Sequence, residues 1–102
     1  MTKEIDYSPL FQFDGKSSEI SLNFPNIHST YDYKSLEIAF RDTHLYLGDK
    51  TNNLIWTVVG FDEVTDIINN QDSGVVDVKL KNGFISVCEN NLGVENFEYT
   101  FD

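Results

Sequence analysis

Val75-Val-Asp-Val-Lys-Leu-Lys81, then Asn82-Gly83, then Phe84-Ile-Ser-Val-Cys-Glu89 is the stretch that decides the fold. Two runs of alternating apolar and polar residues flank an Asn-Gly pair. That is the strongest short-range signal for a β-hairpin, because both central residues of a type I′ turn need positive φ. With Asn82-Gly83 as the loop, Leu80 faces Ile85 and Val78 faces Val87 on one face. Lys81, Lys79 and Asp77 lie on the other, opposite Phe84, Ser86 and Cys88. A slip of one residue would turn the whole apolar set into water, so the assignment of faces is strongly specified.

Upstream of the hairpin, Phe61, Val64, Ile67 and Ile68 recur at helical spacing. Asp62 suits an N-cap, and Glu63 and Asp66 suit the positive end of a helix dipole. The pattern predicts a short helix over about 62–70. Its β-branched content lowers helix propensity, so a strand is the alternative. Before it, Leu54-Ile-Trp-Thr-Val-Val59 is nearly apolar on both faces, which suits a central strand covered on both sides. Gly48-Asp-Lys-Thr-Asn-Asn53 is a dense turn signal.

In the N-terminal half, residues 1–8 read as a loose lead-in. Leu10 to Phe13 and Ser18 to Phe24 read as two strands of a hairpin around Asp14-Gly15. Pro25 closes the second, since proline cannot donate to a ladder. Residues 26–34 have no apolar period and read as a loop. Leu36-Glu-Ile-Ala-Phe40 alternates and pairs with Leu45-Tyr-Leu47. With Asp42-Thr43 as the loop, Phe40 faces Leu45 and Ile38 faces Leu47, while Ala39 and Tyr46 share the other face. At the C-terminal end, Asn96 to Phe101 reads as a strand with Phe97, Tyr99 and Phe101 inward and Glu98 and Thr100 outward.

The expectation is an α+β, β-rich fold. It would be a single antiparallel sheet or small sandwich of about seven to eight short hairpin-connected strands, with one short helix covering a face. At 102 residues the chain is read as one domain. A chain of this size buries roughly 65% of the surface it exposes when unfolded, enough for one core without staples.

The single cysteine, Cys88, permits no internal disulfide. No apolar run approaches the roughly 18 residues that a membrane helix needs, and no signal-peptide pattern opens the chain. A cytoplasmic protein is the default expectation. The net charge is −10, from 17 acidic and 7 basic residues. Direct binding to a nucleic-acid backbone or an anionic membrane needs clustered Lys and Arg, so neither is expected. The partner that this charge favours is a basic protein.

Chemistry finds little footing. The two histidines, His28 and His44, are far apart and far from Cys88, without the spacing of a zinc site. Asp49 to Asn53 and Asn69 to Asp72 offer oxygen ligands without calcium-loop spacing and read as turns. Asp77 beside Cys88 would raise the thiol pKa, the wrong direction for a nucleophile. The six glycines are scattered, so no loop cradles phosphate. A pair of carboxylates at glycosidase separation needs a cleft, which a chain of this size rarely builds. No enzyme activity, cofactor or metal is expected.

What remains is the distribution of charge. From Thr51 to Val78 there are five acids, Asp62, Glu63, Asp66, Asp72 and Asp77, and no base. From Asn82 to Asp102 there are four more, Glu89, Glu95, Glu98 and Asp102, again without a base. Asp62, Glu63, Asp66, Asp72 and Asp77 are the candidate partner-binding residues, on the expected helix and its adjacent loops. Lys79 and Lys81 place the outer face of the hairpin outside that surface, with Asp77 at its margin. The leading expectation is a small non-catalytic protein that occludes a basic groove, its carboxylates taking the place of phosphate. A toxin-immunity protein, or a phage-encoded inhibitor of a nucleic-acid-binding defence enzyme, would work so. The alternatives are a structural or assembly module that oligomerises through its strand edges, and acidity that serves only solubility.

Overall fold

The computed structural model describes residues 11–24, 33–41, 44–59, 63–70 and 73–101. Nine elements follow in order: β1 (Phe11–Gly15), α1 (Ser18–Asn23), β2 (Leu36–Arg41), β3 (His44–Asp49), β4 (Leu54–Val58), β5 (Val64–Asn70), β6 (Val75–Leu80), β7 (Gly83–Asn90) and β8 (Gly93–Phe101). They form two antiparallel four-stranded sheets, the first in the order β1-β4-β3-β2 and the second β5-β6-β7-β8. The inner faces share one core. Leu36, Ile38, Leu45, Leu47 and Val58 come from the first sheet, and Ile67, Val76, Val78, Leu80, Ile85 and Val87 from the second. Across the gap Phe11 of β1 stacks on Phe97 of β8 with centroids 4.3 Å apart, and Trp56 meets Phe97 edge-on at 5.2 Å. The β-rich α+β expectation is met as a small sandwich.

The hairpin that decides the fold forms, in a register two residues away from the expected one. Leu80 pairs with Gly83, Val78 with Ile85 and Val76 with Val87. The turn residues are Lys81 and Asn82, and neither takes positive φ, so the turn is not the type I′ that Asn-Gly invites. A shift of two residues leaves every side chain on its face, so alternation cannot distinguish the two registers. Tertiary contacts can. The observed one seats Val76 fully buried opposite Val87 and delivers the Glu89 N–H to the Gly74 carbonyl at 2.9 Å.

Helix and strand are exchanged relative to expectation at two places. Residues 64–70 form an edge strand, and no helix occupies the described part of 62–70. The register between β5 and β6 shifts between Val64 and Asp66, a β-bulge that inserts Thr65. The bulge puts Val64 and Ile67 on the same inner face although they are three residues apart. A bulged strand thus mimics the helical spacing, and the β-branched residues that lowered helix propensity fit a strand.

Residues 18–23 form the helix instead, and the hairpin around Asp14-Gly15 does not exist, since β1 pairs with β4. Of the alternating Ile20, Leu22 and Phe24, only Ile20 is fully buried; Leu22 is 80% exposed. Ile20 and Phe24, four residues apart, share one helix face and dock on the outer side of the first sheet. There Ile20 packs with Ala39 and Ile55, and Phe24 stacks on Tyr46 at 4.6 Å. An alanine Cβ at Gly48 would lie 2.6 Å from Ile20 Cδ1, so the bare glycine backbone makes room for the helix. The helix expected over 62–70 to cover a sheet face is absent; β4 is an interior strand as expected, and the element that covers the outer face of its sheet is residues 18–23, from before β2.

The β2–β3 pairing is as expected, with Phe40 opposite Leu45, Ile38 opposite Leu47 and Ala39 opposite Tyr46. Of the turn read over 48–53, residues 50–53 form it while Gly48 and Asp49 end β3, and Asn69 and Asn70, also read as turn residues, end β5. The expected lead-in over 1–8 and most of the loop over 26–34 lie outside the described residues.

Candidate partner-binding surface

The outer face of the second sheet is where the acidic residues collect. Because Ile67, Val76, Val78, Leu80, Ile85 and Val87 point into the core, their neighbours along each strand point outward. The register sets these outward residues in three rows. The first is Asp66, Lys79, Phe84 and Thr100, the second Ile68, Asp77, Ser86 and Glu98, and the third Asn70, Val75, Cys88 and Asn96. A register shift between Cys88 and Glu89 makes Glu95 an extra residue on β8. Its carboxylate accepts from Asn90 Nδ2.

Of the five candidate residues, Asp62 and Asp72 lie outside the described ones. Glu63 is exposed just before β5, and its carbonyl accepts the Lys81 N–H at 3.0 Å. Asp66 is exposed on β5, where its Oδ1 accepts the Ile67 N–H at 2.8 Å. Asp77 is half-buried in mid-face and accepts a hydrogen bond from the Ser86 hydroxyl.

The expected separation between an acidic helix and a lysine-bearing hairpin does not exist. With 64–70 as a strand of the same sheet, Asp66, Asp77 and Lys79 lie on one face, and Asp77 is near its middle. Glu95 and Glu98 join them, although the candidate set omitted both. The alternation of Glu98 with Phe97 and Tyr99 marks it as outward in the sequence. Glu95 carries no such mark, because the register shift in β8 interrupts the alternation there.

Glu89, counted among the C-terminal acids, leaves the surface altogether. It is buried, and its Oε1 accepts the backbone N–H of Ser35 at 2.5 Å and of Leu36 at 3.1 Å. The acidic face therefore comprises Asp66, Asp77, Glu95 and Glu98, with Lys79 among them. Ile68 and Phe84, 40% and 39% exposed, stand beside the carboxylates.

The Cys88 thiol sits in this field. Burial pushes its pKa up, and the carboxylates of Glu98, Glu95 and Asp77 push it further in the same direction. It is therefore held as the neutral thiol at neutral pH, the weaker nucleophile. Among the described residues, no three His, Cys, Asp or Glu side chains converge as a metal site would need. No helix among them is long and apolar enough to cross a membrane.

Comparison of the chain with protein-family models, with curated proteins and with solved structures finds no match.

Proposed function

We propose that this protein is a small non-catalytic inhibitor that neutralises a basic protein partner by covering its cationic groove. The surface that would do so is the outer face of the second sheet. The observation that carries the reading is the gathering of Asp66, Asp77, Glu95 and Glu98 on one face, with two partly exposed apolar side chains among them. Carboxylates steer a cationic partner and select against an anionic one. Ile68 and Phe84 supply the desolvated contact that a lasting interface adds to steering. A toxin whose active site binds nucleic acid, or a defence enzyme of the same kind, presents the complementary groove.

The second reading is an assembly module that adds strand to strand. It is favoured by β8, nine residues long and at the edge of its sheet. Self-pairing along β8 would bring Glu95 and Glu98 of two copies together, a like-charge contact that opposes it.

The test uses the wild-type protein and the Glu95→Lys/Glu98→Lys double variant as baits against extract of the native host. The reading expects a basic protein to be retained by the wild type and lost by the variant. It also expects an association rate that falls as salt rises. A partner retained equally by both, with a rate flat in salt, would sink it. A stable oligomer in light scattering, with no basic partner recovered, would favour the assembly reading.

A further inference from the structure

Two buried carboxylates cross between the sheets in opposite directions, and neither is used by the surface described above. Glu89 leaves β7 and binds the N–H groups of Ser35 and Leu36 in the first sheet. Asp49 leaves β3, and its Oδ2 accepts the N–H of Val94 in β8 at 3.0 Å. Leu36 and Asp49 are themselves register partners in the first sheet, and Glu89 and Val94 are partners in the second. Each carboxylate thus ends on the strand position paired with the other, which closes a reciprocal clasp.

Further bonds tighten the same end of the sandwich. The Ser35 hydroxyl donates to the Asn90 carbonyl at 2.8 Å, and Asn52 Nδ2 donates to the Leu92 carbonyl at 3.1 Å. Gly93 has φ +128°, and a Cβ there would lie 2.7 Å from Asp49 Oδ2 and closer still to Asn52 Nδ2.

We propose that this clasp is an acid-releasable lock, and that neutralising Asp49 lets the turns at 50–53 and 91–92 part while the apolar sandwich stays paired. The reason is the direction of its hydrogen bonds. Asp49 Oδ1 accepts from the N–H groups of Thr51 and Asn52, both at 3.1 Å. Its Oδ2 accepts from Asn52 Nδ2 at 2.8 Å and from Val94. All four partners are donors. A carboxylic acid carries its own donor on one oxygen, so a proton on either oxygen would set donor against donor. Loss of the Val94 bond is loss of a link between the sheets.

Burial alone would raise the Asp49 pKa, but its bonds to Asn52, Val94 and Thr51 outweigh burial and hold it below the ordinary 3.8. A carboxyl depressed in the folded state contributes stability above its ordinary value, and that stability is lost as pH falls through the lower folded value. Release is therefore an acid event, below about pH 4. The elements packed against Asp49 carry Lys50 beside it, Lys34 before β2, Glu37 and Arg41 on β2, Glu89 on β7, and Glu95 and Glu98 on β8. Lys50 reaches the Tyr33 carbonyl at 3.4 Å, Glu37 accepts from the Ser21 hydroxyl at 3.0 Å, and Glu95 accepts from Asn90. Glu89 is the one that shares the clasp.

Amide hydrogen exchange read by NMR on the full chain tests this. In the wild type, as pH falls from about 6 to about 2.5, protection at the Leu36, Asn52 and Val94 amides is expected to fall severalfold relative to Val78, Ile85 and Val87. In Asp49→Asn the same pattern should appear at neutral pH, because the amide places a donor where the carboxylate had none. If the two sets of amides lose protection together, or the clasp amides keep theirs through acid, the proposal is overturned. Should Asp49→Asn fail to fold, the wild-type titration decides alone.

Discussion

The two sheets turn similar faces inward and different faces outward. Outside the first sheet, Ala39 and Ile55 lie beneath Ile20, Tyr46 carries the Phe24 ring, and Gly48 leaves space for the helix. Outside the second, the corresponding positions are Asp77, Lys79, Ser86, Cys88 and Glu98, and no described helix covers them. A sheet covered on both sides needs apolar residues at every position, whereas one covered on a single side alternates. The composition of the outer face therefore says what each sheet was built to meet: a helix of its own chain in one case, water or a charged partner in the other.

The comparison can be broken at several points. The largest effect is expected on the inner face, where the sheets do not differ. Ile85→Ala empties a fully buried site and should cost about 2–5 kcal/mol, read as a lower urea midpoint. Uncovering the first sheet comes next. Ile20→Ala should cost about 2 kcal/mol, at the low end for a buried isoleucine because α1 is short and its surroundings can relax. Gly48→Ala tests the same contact from the other side. Its methyl would force Ile20 away, at a cost of about 1–3 kcal/mol, and pairing it with Ile20→Ala should recover part of that loss. On the second sheet, Glu95→Lys with Glu98→Lys should change stability by only about 0.5 kcal/mol at each site. The same pair should slow association with a basic partner by about tenfold or more, since steering acts on the rate. A large loss of stability there would show that the acidic face is structural, and would remove the contrast between the sheets.

Much of this fold is legible in single residues. Leu36 to Phe40 and Leu45 to Leu47 alternate cleanly, and their register follows from the loop length alone. The doubly apolar run at 54–58 marks an interior strand by residue type alone. The misreadings have particular causes. A bulge at Thr65 converts a spacing of two into a spacing of three, which is the signature of the other secondary structure. Six residues at 18–23 are too few for periodicity to separate helix from strand, since Ile20 and Phe24 fit either. The candidate surface was legible as a count of charges and not as a place. Asp66, Asp77, Glu95 and Glu98 come together only because β5 joins the hairpin's sheet, and Glu89 drops out only because Ser35 and Leu36 need an acceptor.

By itself the sequence determined the β-rich class, the inner and outer faces of the hairpin at 75–89, and the excess of acid. These are properties of alternation and charge, which act between neighbours and survive a shift of two residues. Tertiary structure alone decided the register of that hairpin, the exchange of helix and strand, and the fate of each carboxylate. Those depend on which distant backbone groups must be paired when two sheets close over one core, and no local pattern carries that information.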